Sequence, residues 1–283
     1  MIGKLVETLK QTIIGALATS RQQDDRFRLL YDDLLVSQQI AKYGEKYIAK
    51  HTTHLFSQTY EDAVVAEIFS RIGTKSKTFV EIGVEDGSEN TTRLLLMLGW
   101  KGLWIEGNPT HAASIRRNFS TFIDSGQLKV VNSFVETDNV QSLIDQAGLG
   151  AEIDYLSVDI DQNTSHVFRA IKTKARVACI EYNAHFPPSI DYEVPYRAGA
   201  VWDGGNWYGG SLKTIARIAS ERKMSLVGCD LMGVNAYFVQ SSLTGSLFPK
   251  PYTSEHHYQP PRFSYVGGAR GHRRSSPSSL NVK

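Results

Sequence analysis

From Thr78 to Gln240, short apolar runs alternate with segments of helical spacing, and no other feature of this chain restricts its fold so strongly. The runs are Phe79–Ile82, Gly102–Ile105, Leu128–Val131, Tyr155–Ile160, Val177–Ile180, Leu226–Cys229 and Ala236–Gln240. Helix-patterned stretches near Thr91–Leu98, Ala112–Phe119, Val140–Gln146, His166–Thr173 and Leu212–Arg222 fall between most of them. Strands that alternate with helices bury both faces of a mostly parallel sheet, so the pattern predicts a doubly wound α/β layer. One interval breaks the rhythm. About thirty residues separate Ile180 from Leu212, with Pro187-Pro188, four glycines between Gly204 and Gly210, and Trp202, Trp207 and Tyr208. That length exceeds a plain connection, and 184–211 is expected to be an insertion that covers a substrate at the carboxyl ends of the strands.

The flanks read differently. Ile2, Leu5, Val6, Leu9, Ile13 and Leu17 form one helical stripe, and a second helix is expected over about Asp25 to Tyr43 with Phe27, Leu30, Tyr31 and Leu34 inward. Residues 1–56 are therefore expected to be a helical N-terminal extension, docked on its own domain or serving a homo-oligomer. Lys4, Glu7 and Lys10 interrupt the stripe, so it reads as a retained helix and not a secretory leader, which makes a cytoplasmic location the expectation. Residues 246–283 are expected to form a C-terminal extension, loop-like or disordered from about Tyr265.

Composition closes off several function classes. With 41% hydrophobic residues the chain is not a disordered one, and its longest apolar runs fall far short of the ~20 residues of a membrane-spanning helix. The net charge is +2, and the tail after Glu255 carries five basic residues and no acid, which leaves −3 for residues 1–255. No overall field points to nucleic acid. Cys179 and Cys229 both sit in apolar segments, so neither a disulfide framework nor a cysteine zinc site is expected.

The candidate chemistry begins at Glu81-Ile82-Gly83-Val84-Glu85-Asp86-Gly87, between a strand and a helix. Gly83 and Gly87 let the turn approach a ligand, and Glu106 ends the next strand, where a carboxylate accepts hydrogen bonds from both ribose hydroxyls of a nucleoside cofactor. The spacing lacks the three glycines that meet a pyrophosphate in NAD-binding turns. Acids at Glu81 and Glu106 repel pyrophosphate and attract the ammonium or sulfonium of S-adenosylmethionine. An ordinary turn with solvated acids is the plainer alternative.

The sequence resembles the Rossmann-like (class I) S-adenosylmethionine-dependent methyltransferases, and within them an FkbM-like group. The resemblance rests on Ser57-Gln58-Thr59-Tyr60-Glu61-Asp62, then FVEIGVEDGSENTT, GWKGLWIEGN, IDYLSVDID, CIEYN and YGGSL in order, over about Ser57 to Gln240. It implies a methyltransferase domain over 57–245, strand order 3-2-1-4-5-7-6 with an antiparallel seventh strand, and Ser133 in the region that holds adenine. The chain departs from the group at Gln162-Asn163-Thr164, where relatives tend to carry a glycine.

Alternation along the fourth and fifth strands places Asp159 with Asp161, and Glu181 with Asn183, on common faces of neighbouring strand tips. Three carboxylates and an amide form an all-oxygen set that suits Mg²⁺ or Mn²⁺. The competing reading has Asp159 contact the cofactor and no metal bind. His185 projects to the same side if the chain stays extended, as general base alongside Asp161, or it is a loop histidine before the prolines. Gly209-Gly210-Ser211 opens a helix, as an anion site or as a simple N-cap.

The function expected is S-adenosylmethionine-dependent O-methylation of a small polyhydroxylated acceptor, a sugar or glycan, with optional metal assistance and Trp202, Trp207 and Tyr208 stacking on it. The alternatives are an NAD-dependent oxidoreductase and a non-catalytic nucleoside-binding or assembly protein.

Overall fold

The computed structural model describes residues 30–262. Its centre is one seven-stranded sheet in the order β3-β2-β1-β4-β5-β7-β6. The strands are β1 (Thr78–Ile82), β2 (Lys101–Glu106), β3 (Leu128–Asn132), β4 (Glu152–Val158), β5 (Lys174–Glu181), β6 (Met224–Cys229) and β7 (Asn235–Gln240). Pairing is parallel from β3 through β5, while β7 runs antiparallel to both β5 and β6. This is the order that the methyltransferase resemblance implies, and each apolar run expected to be a strand lies in one, Tyr155–Ile160 overrunning β4 by two residues.

Alternation divides the strand side chains between two cores. Phe79, Trp104, Val177, Cys179, Tyr237 and Val239 face one, and Val80, Leu103, Ile105, Ala178, Ile180 and Phe238 face the other. The second core is closed by α6 (Val140–Asp145), α7 (Thr164–Ala170) and α8 (Leu212–Glu221). The first is closed by α2 (Glu61–Ile72), α3 (Arg93–Met97) and α4 (Pro109–Asn118), joined by Tyr43, Tyr47 and Ile48. Packing thus continues without a break across residue 56, and Phe248 extends it past residue 245. A short α5 (Ser120–Asp124) follows α4.

Residues 30–43 are helical and form α1, but with a different inward face from the one expected. Leu30, Tyr31 and Leu34 are exposed; Asp32, Leu35 and Tyr43 are buried. The carboxylate of Asp32 accepts a hydrogen bond from the buried Tyr60 hydroxyl, so the inward face holds a polar pair that an apolar stripe does not reveal. Phe27, the stripe over residues 2–17 and the tail from Tyr265 lie outside the described residues. Among the described residues, no helix is long and apolar enough to cross a membrane.

Candidate active site

A cavity of about 860 Å³ opens at the carboxyl ends of β1, β2, β4 and β5. Glu81, Gly83, Glu106, Ser133, Asp159, Asp161 and Glu181 line it, while Gly87, Asn183 and His185 do not.

On the β1–β2 side, carboxylates hold the loop that surrounds them. Glu81 is 2% exposed, and its Oε1 accepts from the Thr91 N–H (2.9 Å) and hydroxyl (2.8 Å). Its Oε2 accepts from Asn90 Nδ2 (2.7 Å) and from the hydroxyl and N–H of Thr92. Burial raises its pKa, and these donors work against the rise. Glu81 is therefore the internal strut of the loop, and no lone pair remains on it for direct cofactor contact. Glu106 accepts from Val84 N (3.2 Å) and Glu85 N (2.8 Å) on Oε2, and from Asn108 N (2.7 Å) on Oε1. Three of its four acceptor positions are taken, which leaves one for a ribose hydroxyl where the sequence suggested two.

The two glycines divide. Gly83 has φ +82°, and a Cβ there would stand 1.8 Å from the Asp159 carbonyl oxygen, so only glycine lets β1 and β4 converge beneath the cavity. Gly87 (φ +81°) instead packs on Phe119 and Trp104, outside the cavity. Its role is to seat the turn on α4. Beside Ser133, Phe134 lines the cavity and is 43% exposed, an apolar face that the sequence reading overlooked.

On the β4–β5 side, carboxylates crowd one another. One oxygen from each of Asp159, Asp161 and Glu181 lies within 4.8 Å of the others. Strand alternation does not explain this, because β4 ends at Val158 and Asp161 stands at φ +55° in a short 3₁₀ turn. The turn aims the Asp161 N–H at Glu181 Oε2 (3.0 Å), which also accepts from the Thr164 hydroxyl (3.1 Å). The Asp159 carboxyl opens on the cavity floor, and there burial and then the charge of Asp161 push it up to about 7. Burial and Glu85 raise Asp161 to about 6. Glu181 is pushed well above the usual carboxylate range by burial and then by both aspartates. Three such oxygens match the preference of a hard divalent cation.

Asn183 does not join them. Past Glu181 the chain leaves the sheet, and Asn183 Nδ2 donates to Asn206 O and Tyr208 O while its Oδ1 accepts from His185 N. It ties down the insertion and is fully buried, so it is withdrawn as a metal ligand. His185 sits in a turn closed by Phe186 N to Asn183 O (3.2 Å), not on an extended chain, and this carries it away from the cavity. It is withdrawn as the base.

The insertion contributes Ala200, Val201, Trp202 and Tyr208 to the cavity wall. Trp207 instead packs against Phe186 and Tyr192, with centroids 5.9 and 5.3 Å away. Gln162 and Asn163, where the sequence departs from its group, anchor the insertion through bonds to Trp207 O (3.1 Å) and Arg197 O (2.8 Å). Ser211 is the N-cap of α8, accepting from Thr214 N, and this accounts for Gly209-Gly210-Ser211 without an anion. Gln58, Glu61 and Asn235 complete the cavity from the segment before α2, the first residue of α2 and the start of β7. Asn235 Nδ2 donates to Glu61 Oε1 (3.3 Å), and the only sequence signal for Gln58 and Glu61 was the segment Ser57–Asp62.

No family model and no curated protein matches this sequence. Solved structures similar to it include the pyocyanin biosynthetic protein PhzM (TM-score 0.37, 12% identity, 62% of this chain and 53% of that one). Others are the N-terminal domain of EvdMO1 with SAH bound (0.41, 11%, 65% and 80%) and magnesium protoporphyrin IX methyltransferase (ChlM) from Synechocystis PCC 6803 with bound SAH (0.41, 12%, 63% and 80%). This chain spans about half the length of PhzM, and likenesses of this size transfer no activity to it.

Proposed function

We propose that this protein transfers a methyl group from S-adenosylmethionine to a hydroxyl oxygen of a small polyhydroxylated acceptor. The observation that carries the reading is the acidic cavity at the carboxyl edge of a 3-2-1-4-5-7-6 sheet. Its residues fit the donor. Glu106 keeps one acceptor position for a ribose hydroxyl, Phe134 and Ser133 offer a face and a hydroxyl for adenine, and Gly83 keeps the floor open below. The carboxylate lining favours a sulfonium and an ammonium and opposes a pyrophosphate, which argues against NAD.

The β4–β5 cluster faces the acceptor. The acceptor oxygen takes the methyl carbon as the carbon–sulfur bond breaks, and its proton passes to a carboxylate; Asp159 and Asp161, held near 7 and 6, have the affinity for that task. Much of the rate comes from alignment of the oxygen behind the methyl group. Asp159, Asp161 and Glu181 would also hold Mg²⁺ or Mn²⁺, which supplies Lewis acidity toward a hydroxyl.

The test is incubation with the donor and a panel of sugars and polyols, followed by mass spectrometry. A gain of one methyl is expected, and Asp161→Asn should remove it in a folded protein. No methylation anywhere in the panel would contradict the reading. EDTA separates the two forms of the site: lost turnover with donor binding kept assigns the cation, and full activity assigns the carboxylates alone.

A further inference from the structure

Among the described residues, eight carboxylates line the cavity and no Lys or Arg does. They come from α2, β1, the β1–α3 loop, β2 and the β4–β5 tips, so the sign belongs to the whole cavity and not to the three-carboxylate cluster alone. Burial and mutual repulsion raise Glu81, Asp159, Asp161 and Glu181, so these four carry less than their full formal charge, and Glu61, Glu85, Glu89 and Glu106 lie outside that group. The remaining field is negative, and the walls of a cavity focus it on whatever enters.

A neutral side chain repeats the preference. Asn90 lines the same cavity and is 8% exposed. Its Nδ2 is committed to Glu81 Oε2, an arrangement that fixes which end of the amide is which, since reversal would set oxygen against oxygen. Its Oδ1 is buried with no hydrogen-bond partner among the described residues, an unmet acceptor in the wall beside the cavity. On the acceptor's side stand Trp202 and Tyr208, with ring centroids 6.3 Å apart at 68°. Aromatic faces beside carboxylates are the surroundings that hold an ammonium.

We propose that the methyl acceptor is a cation, a small polyhydroxylated amine whose ammonium is held by the cavity's carboxylates and aromatic faces, and that phosphorylated or carboxylated acceptors are turned away. The inference rests on the methyl-transfer reading of the cavity and adds the charge class of the second substrate.

The experiment uses the full chain and matched probes: glucosamine, glucose and glucose 6-phosphate, then 2-deoxystreptamine, myo-inositol and inositol 1-phosphate. Binding is ranked by saturation-transfer NMR with and without S-adenosylhomocysteine, and donor binding is measured separately by calorimetry. The amines should bind at least ten-fold more tightly than the neutral members, with the phosphates weakest. Raising salt from about 50 to about 500 mM should narrow the gap, since screening acts on charge alone. Glu85→Gln should narrow it two- to five-fold. Equal binding across a set, a phosphate at or above its neutral parent, or no amine bound overturns the inference. Absence of donor binding overturns the methyl-transfer reading instead, and the ranking on donor-free protein still decides the charge claim.

Discussion

The strands β4 and β5 carry acidic side chains at both ends, and the two ends are built on opposite principles. Near their amino ends, Asp154 meets Arg176 Nη1 at 2.6 Å and accepts from the backbone N–H groups of Lys75, Ser76 and Lys77. Burial alone would raise its pKa, yet the guanidinium and the backbone donors hold it below the usual value. At the carboxyl ends, Asp159, Asp161 and Glu181 face one another with no Lys or Arg among the described residues that line the cavity, and all three are raised. The same pair of strands thus closes its charge balance at one end and leaves it open at the other. Stability is built in where the charge is closed, and an occupant is expected where it is open.

The largest contrast should come from breaking each end in turn. Arg176→Met leaves a buried carboxylate without its partner and should cost about 3–5 kcal/mol, read as a large drop in Tm and denaturant midpoint. An unchanged midpoint would mean that the pair is not structural. Removing charge at the other end should have the reverse sign: Glu181→Gln relieves repulsion, should raise stability by about 1 kcal/mol, and should abolish turnover.

The dependence on pH separates the ends next. Asp159 and Asp161 have folded pKa values raised above their unfolded ones, so their contribution is full below about pH 4 and is lost as pH rises through about 6 and 7. Asp230, buried near Glu61 and also raised to about 7, adds to the same fall. Asp154 acts oppositely, because its lowered pKa gives stability that is present above the unfolded value and lost only as pH falls below it. Stability should therefore decline by on the order of a few kcal/mol between about pH 4.5 and 7.5. Millimolar Mg²⁺ should reverse the decline if the cluster binds it. Denaturant titrations across that range check both, and a rise toward neutral pH would contradict the assignment of open charge.

The smallest effect is expected at His185. Outside the cavity and tied to Asn183 through its backbone N–H, it should tolerate His185→Ala with kcat within about threefold, against the loss of orders of magnitude expected of a general base.

These contrasts also explain what could be read from the sequence. Strand positions followed from apolar runs, since a strand buried on both faces leaves a continuous hydrophobic signature that local order does not disturb. Glu106, Asp159, Asp161 and Glu181 were found because strand tips in such a sheet converge on one edge. The errors arose where the chain leaves regular structure. Alternation was extended past Glu181 to Asn183 and His185, but the turn at Asn183–Phe186 ends it. Glu81 does line the cavity, but the sequence does not reveal that Asn90, Thr91 and Thr92 fold back to occupy its acceptor positions. Helix α2 was passed over although Val64, Val65, Ile68 and Phe69 carry its buried stripe, and with it went Glu61 as a cavity residue.

The central claim is that the cavity is built for a cationic nucleoside donor. Isothermal titration of the full chain with S-adenosylmethionine and, separately, with NAD measures it directly. Saturable one-to-one binding of S-adenosylmethionine, weakened by Glu106→Gln, with no heat from NAD, is the predicted result. Binding of NAD with none of S-adenosylmethionine would contradict it.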